Sequence, residues 1–339
     1  MQVHIFYRNF KKFCYGLSHV GLGNNAMLTA KSLKDINVDC RVHGVDNAQH
    51  IADILKKFPT TATHAIVEAA FFGVTDANQL SNDFPEVDFV YRNHSQIAFL
   101  QVEPNAINWF RDFAKLQEMA LNVRLSGNSD RFTEWWESAY NQRCLYLPNL
   151  YPLIDRTRVK VRHSPSRDTL RIGAFGSLRL LKNFTTCAAA AMLIAKRLDR
   201  NLELYMNVGR TENGGRVIVD AVENMFKGLP WAKLVKVDWQ DWTQFRHTIG
   251  HMDLTLQCSF TETFNIVTAD SIAEGVPAVV STAIDWVPDY WQADCDNPED
   301  IAVKGVNLVL DSRSAEVGLN HLKRYQREAL ATWKDYLKI

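Results

Sequence analysis

The chain has no surplus of either charge. Its 339 residues carry 38 Lys+Arg and 38 Asp+Glu, a balance that argues against a globally basic nucleic-acid binder. It has no apolar run approaching the roughly 18 residues a membrane-spanning helix needs. The N-terminus, Met1 to Tyr7, reads Met-Gln-Val-His-Ile-Phe-Tyr. That is a first strand rather than a basic n-region leading into an apolar leader. The six cysteines (Cys14, Cys40, Cys144, Cys187, Cys258 and Cys295) form no Cys-x-x-Cys, and no His-Glu-x-x-His occurs. A zinc ribbon or zincin site is therefore excluded, and reduced, buried thiols of a cytoplasmic enzyme are expected. There is no internal repeat and no low-complexity tract.

What is present is alternation. Short apolar strand candidates recur between helical patterns. In the first half they are 3–7, 38–43, 64–70, 87–92, 121–125 and 145–147. In the second half they are 170–175, 202–208, 234–237, 254–258, 278–281 and 306–310. Two sets of about six such strands predict two doubly wound α/β domains with parallel sheets, not the eight regular units of a TIM barrel. The break is Tyr151 to Asp168, flanked by Pro152 and Pro165 and containing Arg156, Arg158, Lys160, Arg162 and Arg167. It reads as an interdomain linker. The expected division is 1–150, linker 151–168, second domain 169–314, and C-terminal helices 315–339.

The segment Ser259-Phe260-Thr261-Glu262-Thr263-Phe264-Asn265-Ile266-Val267-Thr268-Ala269-Asp270 continues to Gly275-Val276-Pro277 and the strand Ala278–Ser281. A strand runs into a polar turn, and a helix starts near Phe264 and stops at Gly275. Glu262 and Asp270 thus flank a helix N-terminus at the carboxyl end of a strand, where open α/β sheets bind ligands and where helix amides attract phosphate.

This arrangement resembles the nucleotide-sugar segment of retaining GT-B glycosyltransferases of family 4, whose pattern is glutamate, seven residues, glutamate, then Gly-x-Pro and a strand. The resemblance implies the GT-B fold, two Rossmann-like domains with a cleft between them. It implies that Glu262 faces the transferred sugar, that the amides of Thr263, Phe264, Asn265 and Ile266 hold the diphosphate, and that Asp270 takes the ribose. Asn265 stands where the family has glycine, and Asp270 is one methylene short of the usual acid. In Gly173 to Asn183 the family's phosphate-binding lysine corresponds to Lys182, while Ser177 stands at its arginine position and Arg179 is an alternative cation. The Gly-x-Gly turn Gly21–Gly23, before a helix expected over 25–33, corresponds to a loop reaching the donor. His94, ending a strand, corresponds to a histidine that holds the sugar. Leu145 to Asn149 matches the strand ending in Pro-Asn.

The implied activity is transfer of a sugar from a nucleotide diphosphate-sugar to an acceptor hydroxyl with retention. The expected catalytic residues are Glu262, His94 and Lys182, with no cofactor. Asp294-Cys295-Asp296 is read as a solvated loop, so no essential metal is expected. Trp239 is expected in the core, with stacking on a base as the alternative. The acceptor stays open between a glycan, lipid or small molecule and a nucleic acid met by the basic linker. A nucleotide-sugar epimerase or a non-catalytic paralogue of the same fold are the other readings.

Overall fold

A computed structural model describes residues 1–9, 20–153, 168–212 and 214–339. The five linker cations lie outside these residues. The chain divides into unit 1, Met1–Pro152 with Gln326–Ile339, and unit 2, Leu153–Tyr325.

Unit 1 alternates β1 (Gln2–Arg8), α1 (Val20–Lys34), β2 (Asp39–Val45), α2 (Ala48–Leu55), β3 (Ala62–Glu68), α3 (Val74–Asp83), β4 (Asp88–Asn93), α4 (Ala106–Met119), β5 (Val123–Gly127), α5 (Asp130–Tyr140) and β6 (Leu145–Tyr146). All pairings are parallel, in the order β2-β1-β3-β4-β5-β6. Both faces of β1 are covered, so Val3, His4, Ile5 and Phe6 are all buried, as a helix-sandwiched parallel strand requires. On one face, Phe6, Ile51, Leu55, Phe89, Phe113 and Trp136 belong to a single core.

Unit 2 runs β7 (Thr169–Ala174), α6 (Phe184–Arg197), β8 (Asn201–Asn207), α7 (Arg216–Phe226), β9 (Ala232–Val237), α8 (Trp242–Ile249), β10 (Leu254–Gln257), α9 (Ile266–Ala273), β11 (Ala278–Ser281), β12 (Gln292–Ala293), α10 (Pro298–Leu310) and α11 (Ser314–Leu337). The order is β12-β11-β10-β7-β8-β9, again parallel. The chain leaves β7 for β8 on one side and places β10 on the other. The carboxyl ends of β7 and β10 therefore form the topological switch point, the place where doubly wound sheets bind ligands. The last turns of α11, from Gln326 on, belong to unit 1. There Trp333 is fully buried and donates to the Pro148 carbonyl at 2.8 Å.

One strand expectation is corrected. Residues 306–310 are not a strand but the end of α10. Asn297 caps that helix by accepting from the amides of Glu299 and Asp300, and Pro298 takes its first turn, which fixes a helical start. Ile301, Ala302, Gly305 and Leu308 then face inward at helical spacing. The sixth strand is β12, whose two residues are too few to show a period. No helix among the described residues is long and apolar enough to cross a membrane.

Candidate functional site

The segment 259–277 folds around an unusual helix start. Asn265, which stands where the family has glycine, has φ 57° and ψ 86°. Asparagine is among the few side chains that enter the left-handed region readily, so it meets the backbone demand that glycine would meet. Its Oδ1 also accepts from the Thr268 amide at 2.9 Å, and its Nδ2 donates to Gln257 Oε1 at 3.2 Å. The helix therefore begins at Ile266, two residues after the expected Phe264. Its other end is a Schellman closure: Gly275 has φ 78°, its N–H reaches the Ile272 carbonyl at 3.0 Å, and Val276 N–H reaches Ser271 at 3.0 Å. Thr263 and Phe264 lead into the helix; the rings of Phe264, Trp286 and Tyr325 form a mutually contacting cluster, and Trp286 Nε1 donates to the Phe264 carbonyl at 2.7 Å.

Across the switch point, Lys182 ends a short 3-10 turn (Leu180–Lys182), and its ammonium pairs with the Glu262 carboxylate. The loops that carry them are joined: Phe260 N–H donates to the Leu181 carbonyl at 3.0 Å. Asn183 Nδ2 donates to the carbonyls of Cys258 (3.1 Å) and Cys295 (2.6 Å). Gly176, with φ 124°, brings bare backbone alongside: a Cβ there would stand 3.8 Å from Lys182 Cε. Burial alone would raise the Glu262 carboxyl, but Lys182 and then Arg179 outweigh it and hold it below the usual range. Burial pushes the Lys182 ammonium down, Glu262 opposes this, and Arg179 adds to it. Both groups face low-dielectric surroundings, so the pair is an ionised contact whose partners depend on each other.

Asp270, expected to take the ribose, is only 1% exposed. Its Oδ1 accepts the Trp242 indole N–H at 3.0 Å. Arg179 lies in a second cluster, 4.0 Å from Glu212. Trp239 is not core: it is 44% exposed, with the Arg210 guanidinium 4.9 Å from its ring centre. Asp294 and Asp296 sit in an exposed turn in which Asp294 Oδ1 accepts the Asp296 amide at 3.0 Å.

In unit 1, Gly21 and Gly23 lie within α1, which starts at Val20 rather than Asn25. Gly23 is a packing position, since a Cβ would meet Tyr7 Cε2 at 3.1 Å. His94 belongs to a buried polar network that the sequence reading did not assemble. Glu68 and Arg92 are register partners on β3 and β4, both with fully buried side chains. Arg92 Nη1 donates to both Glu68 oxygens (3.0 and 3.1 Å), its Nε to the Leu147 carbonyl (2.9 Å) and its Nη2 to Asn149 Oδ1 (2.8 Å). Nε2 of His94 contacts the Glu68 carboxylate, and its Nδ1 faces Asn128 Nδ2 at 3.2 Å. Asn25 donates to Glu68 at 3.3 Å. Burial pushes His94 down; Glu68 opposes and Arg92 adds to the push. Burial would lift the Glu68 carboxyl, yet Arg92 and His94 hold it down. The available signal was a charge ending each of two apolar strands, Ile66-Val67-Glu68 and Val90-Tyr91-Arg92. It becomes a pair only once β3 and β4 are known to be neighbours.

The structure of Anabaena HepE in complex with UDP and glucose superposes with TM-score 0.67 at 13% identity, over 100% of this chain and 99% of that one. The E. coli trehalose-6-phosphate structure bound with UDP-2-fluoro glucose matches at 0.61 and 9%, over 98% and 96%. A glycosyltransferase from Rickettsia africae matches at 0.60 and 11%, over 99% of each chain. The fold is GT-B. No protein-family profile matches the sequence, and no curated protein does.

Proposed function

We propose that this GT-B protein is a glycosyltransferase resembling family 4, transferring a sugar from a nucleotide diphosphate-sugar to an acceptor hydroxyl with retention. The observation that carries the reading is the meeting of Lys182, Glu262 and the capped start of α9 at the switch point between β7 and β10. Lys182 supplies positive charge to the departing diphosphate, and the α9 amides add to it. Glu262, held ionised, can only accept hydrogen bonds, which suits it to sugar hydroxyls and not to donating a proton. In the front-face transfer, the bond from the anomeric carbon to phosphate oxygen breaks as the bond to the acceptor oxygen forms on the same face. The acceptor proton passes to the leaving phosphate. Asp270 takes the ribose while its Oδ1 accepts from the Trp242 indole, and His94 holds a sugar hydroxyl. A divalent ion is not required, and chelation should leave turnover intact. The acceptor is a glycan, lipid or small-molecule hydroxyl.

The test is incubation with a panel of nucleotide-sugars, UDP-sugars first because structural neighbours were crystallised with UDP. NMR then reads the product anomer. Transfer with a retained anomer supports the proposal. Sugar interconversion without transfer points to an epimerase, and thermal stabilisation without turnover to a binding paralogue.

A further inference from the structure

The loops after β7 and β8 are zipped together. Leu178 N–H donates to the Arg210 carbonyl at 3.0 Å, Glu212 N–H donates to the Leu178 carbonyl at 2.8 Å, and Leu178 bridges Thr211 in parallel. This fastens three charged side chains to the same strand ends as Lys182. Glu212, with a side chain 4% exposed, lies 4.0 Å from Arg179 Nη1 and 2.6 Å from Arg210 Nη2. Arg210 is itself 9% exposed at its side chain. With the Lys182–Glu262 pair, three cations meet two carboxylates, leaving one positive charge in excess.

The Arg210–Glu212 contact is close but misdirected. Arg210 Nη2 and Glu212 Oε1, both buried, stand 2.6 Å apart but poorly aligned for a hydrogen bond, and among the described residues neither has a well-directed partner. A structural arginine–carboxylate pair is ordinarily directed and often bidentate, and a buried polar atom left unsatisfied is costly. The guanidinium is steadied from its other side by the Trp239 ring. That ring comes close because residue 209 is glycine: a Cβ there would stand 2.7 Å from the Trp239 amide nitrogen.

We propose that Arg210 is a diphosphate ligand, and that Glu212 is the positioning residue that holds it, beside Arg179, until a phosphate oxygen takes the guanidinium's unsatisfied N–H. This rests on the nucleotide-diphosphate reading above. It also supplies, from β8, a cation that Ser177 does not provide after β7.

The test is isothermal titration of the full chain with inorganic pyrophosphate, UDP, GDP and ADP, and with the corresponding nucleosides. It compares wild type, Lys182→Met, Arg210→Met, Arg210→Lys and Glu212→Gln, each with a melting curve. Arg210→Met should weaken pyrophosphate and the preferred diphosphate by about tenfold and leave the nucleoside unchanged. Glu212→Gln removes the competing charge and should tighten pyrophosphate by roughly two- to fivefold. Arg210→Lys keeps the charge and should fall between wild type and Arg210→Met, which keeps the test decisive should the methionine variant not fold. If Lys182→Met weakens the diphosphates while the Arg210 variants only melt earlier, Arg210 is a structural residue and this proposal falls alone. Should wild type bind none of the four, the nucleotide-diphosphate reading falls with it.

Discussion

Trp242 donates its indole N–H to Oδ1 of Asp270, 3.0 Å away, while Arg246 lies over the same indole and pairs with Glu274 at 2.7 Å. Helices α8 and α9 are therefore tied by one aromatic ring held at its edge and its face. Asp270 has two duties in the proposed enzyme, and they separate by substitution.

Asp270→Ala leaves the Trp242 N–H without its acceptor in a buried setting and should cost about 1–3 kcal/mol of stability. Asp270→Asn keeps an acceptor oxygen and should cost less, yet lacks the charge a ribose diol prefers. Urea denaturation with unchanged m-values measures the first effect. Titration with UDP measures the second, expected at roughly 10- to 150-fold weaker binding for the alanine variant. Unchanged UDP affinity in both variants would confine Asp270 to bracing Trp242.

Lys182→Met should weaken a nucleoside diphosphate more than the nucleoside, because the lost charge faces phosphate. It also leaves the Glu262 carboxylate buried without its cation, at a cost of about 3–5 kcal/mol. The double variant Lys182→Met/Glu262→Gln should recover most of that stability and none of the diphosphate affinity. Equal losses for nucleoside and diphosphate would remove Lys182 from the phosphate site.

Acid should destabilise unit 1 through His4. The imidazole is fully buried, its Nε2 is 2.8 Å from Gln2 Oε1, and its Nδ1 is 3.0 Å from His43 Nε2. The consistent arrangement has His4 donating to Gln2 and accepting from His43, so a second proton on His4 sets two donors face to face. Burial, then His43 and Arg41, lowers its pKa to about 4, with Asp39 opposing. The unfolded chain takes up this proton near pH 6.5 and the native state only near 4. Stability is thus full above pH 6.5, falls by about 2–3 kcal/mol towards pH 4, and levels off below it. Denaturation midpoints from pH 7 to 4 should show this slope in wild type and a shallower one in His4→Gln.

The legible part of this molecule was local. Strand positions other than 306–310 and the Gly275 stop follow from period and turn chemistry within a few residues of each other, whereas Lys182 and Glu262 are singled out by the family resemblance. Asn265 departs from the family pattern in sequence only, because a sequence shows a side chain and not a dihedral; at φ 57° it does what glycine does. The illegible part was pairwise and distant. Glu68 meets Arg92 across strands 24 residues apart, and Trp242 meets Asp270 across 28. Nothing in either neighbourhood marks the partner. Arg210 and Glu212 are close in sequence, but their shared contact with residue 178 depends on β7 and β8 lying side by side.

Unit 1 is built from both ends of this chain, and that sets an order of events during synthesis. Residues 1–152 emerge from the ribosome first, but the slot beside Pro148 waits for Trp333, and Asp88 waits for the hydroxyl of Tyr336, 3.1 Å away in the finished fold. Gln326 must likewise arrive to accept from the Tyr151 amide at 2.6 Å and to donate to Ser32 at 3.1 Å. All of unit 2 is translated in the interval. The earlier-made part lacks these contacts until translation reaches the last turns of α11, and a ribosome stalled before Gln326 holds a nascent chain without the Trp333, Tyr336 and Gln326 bonds.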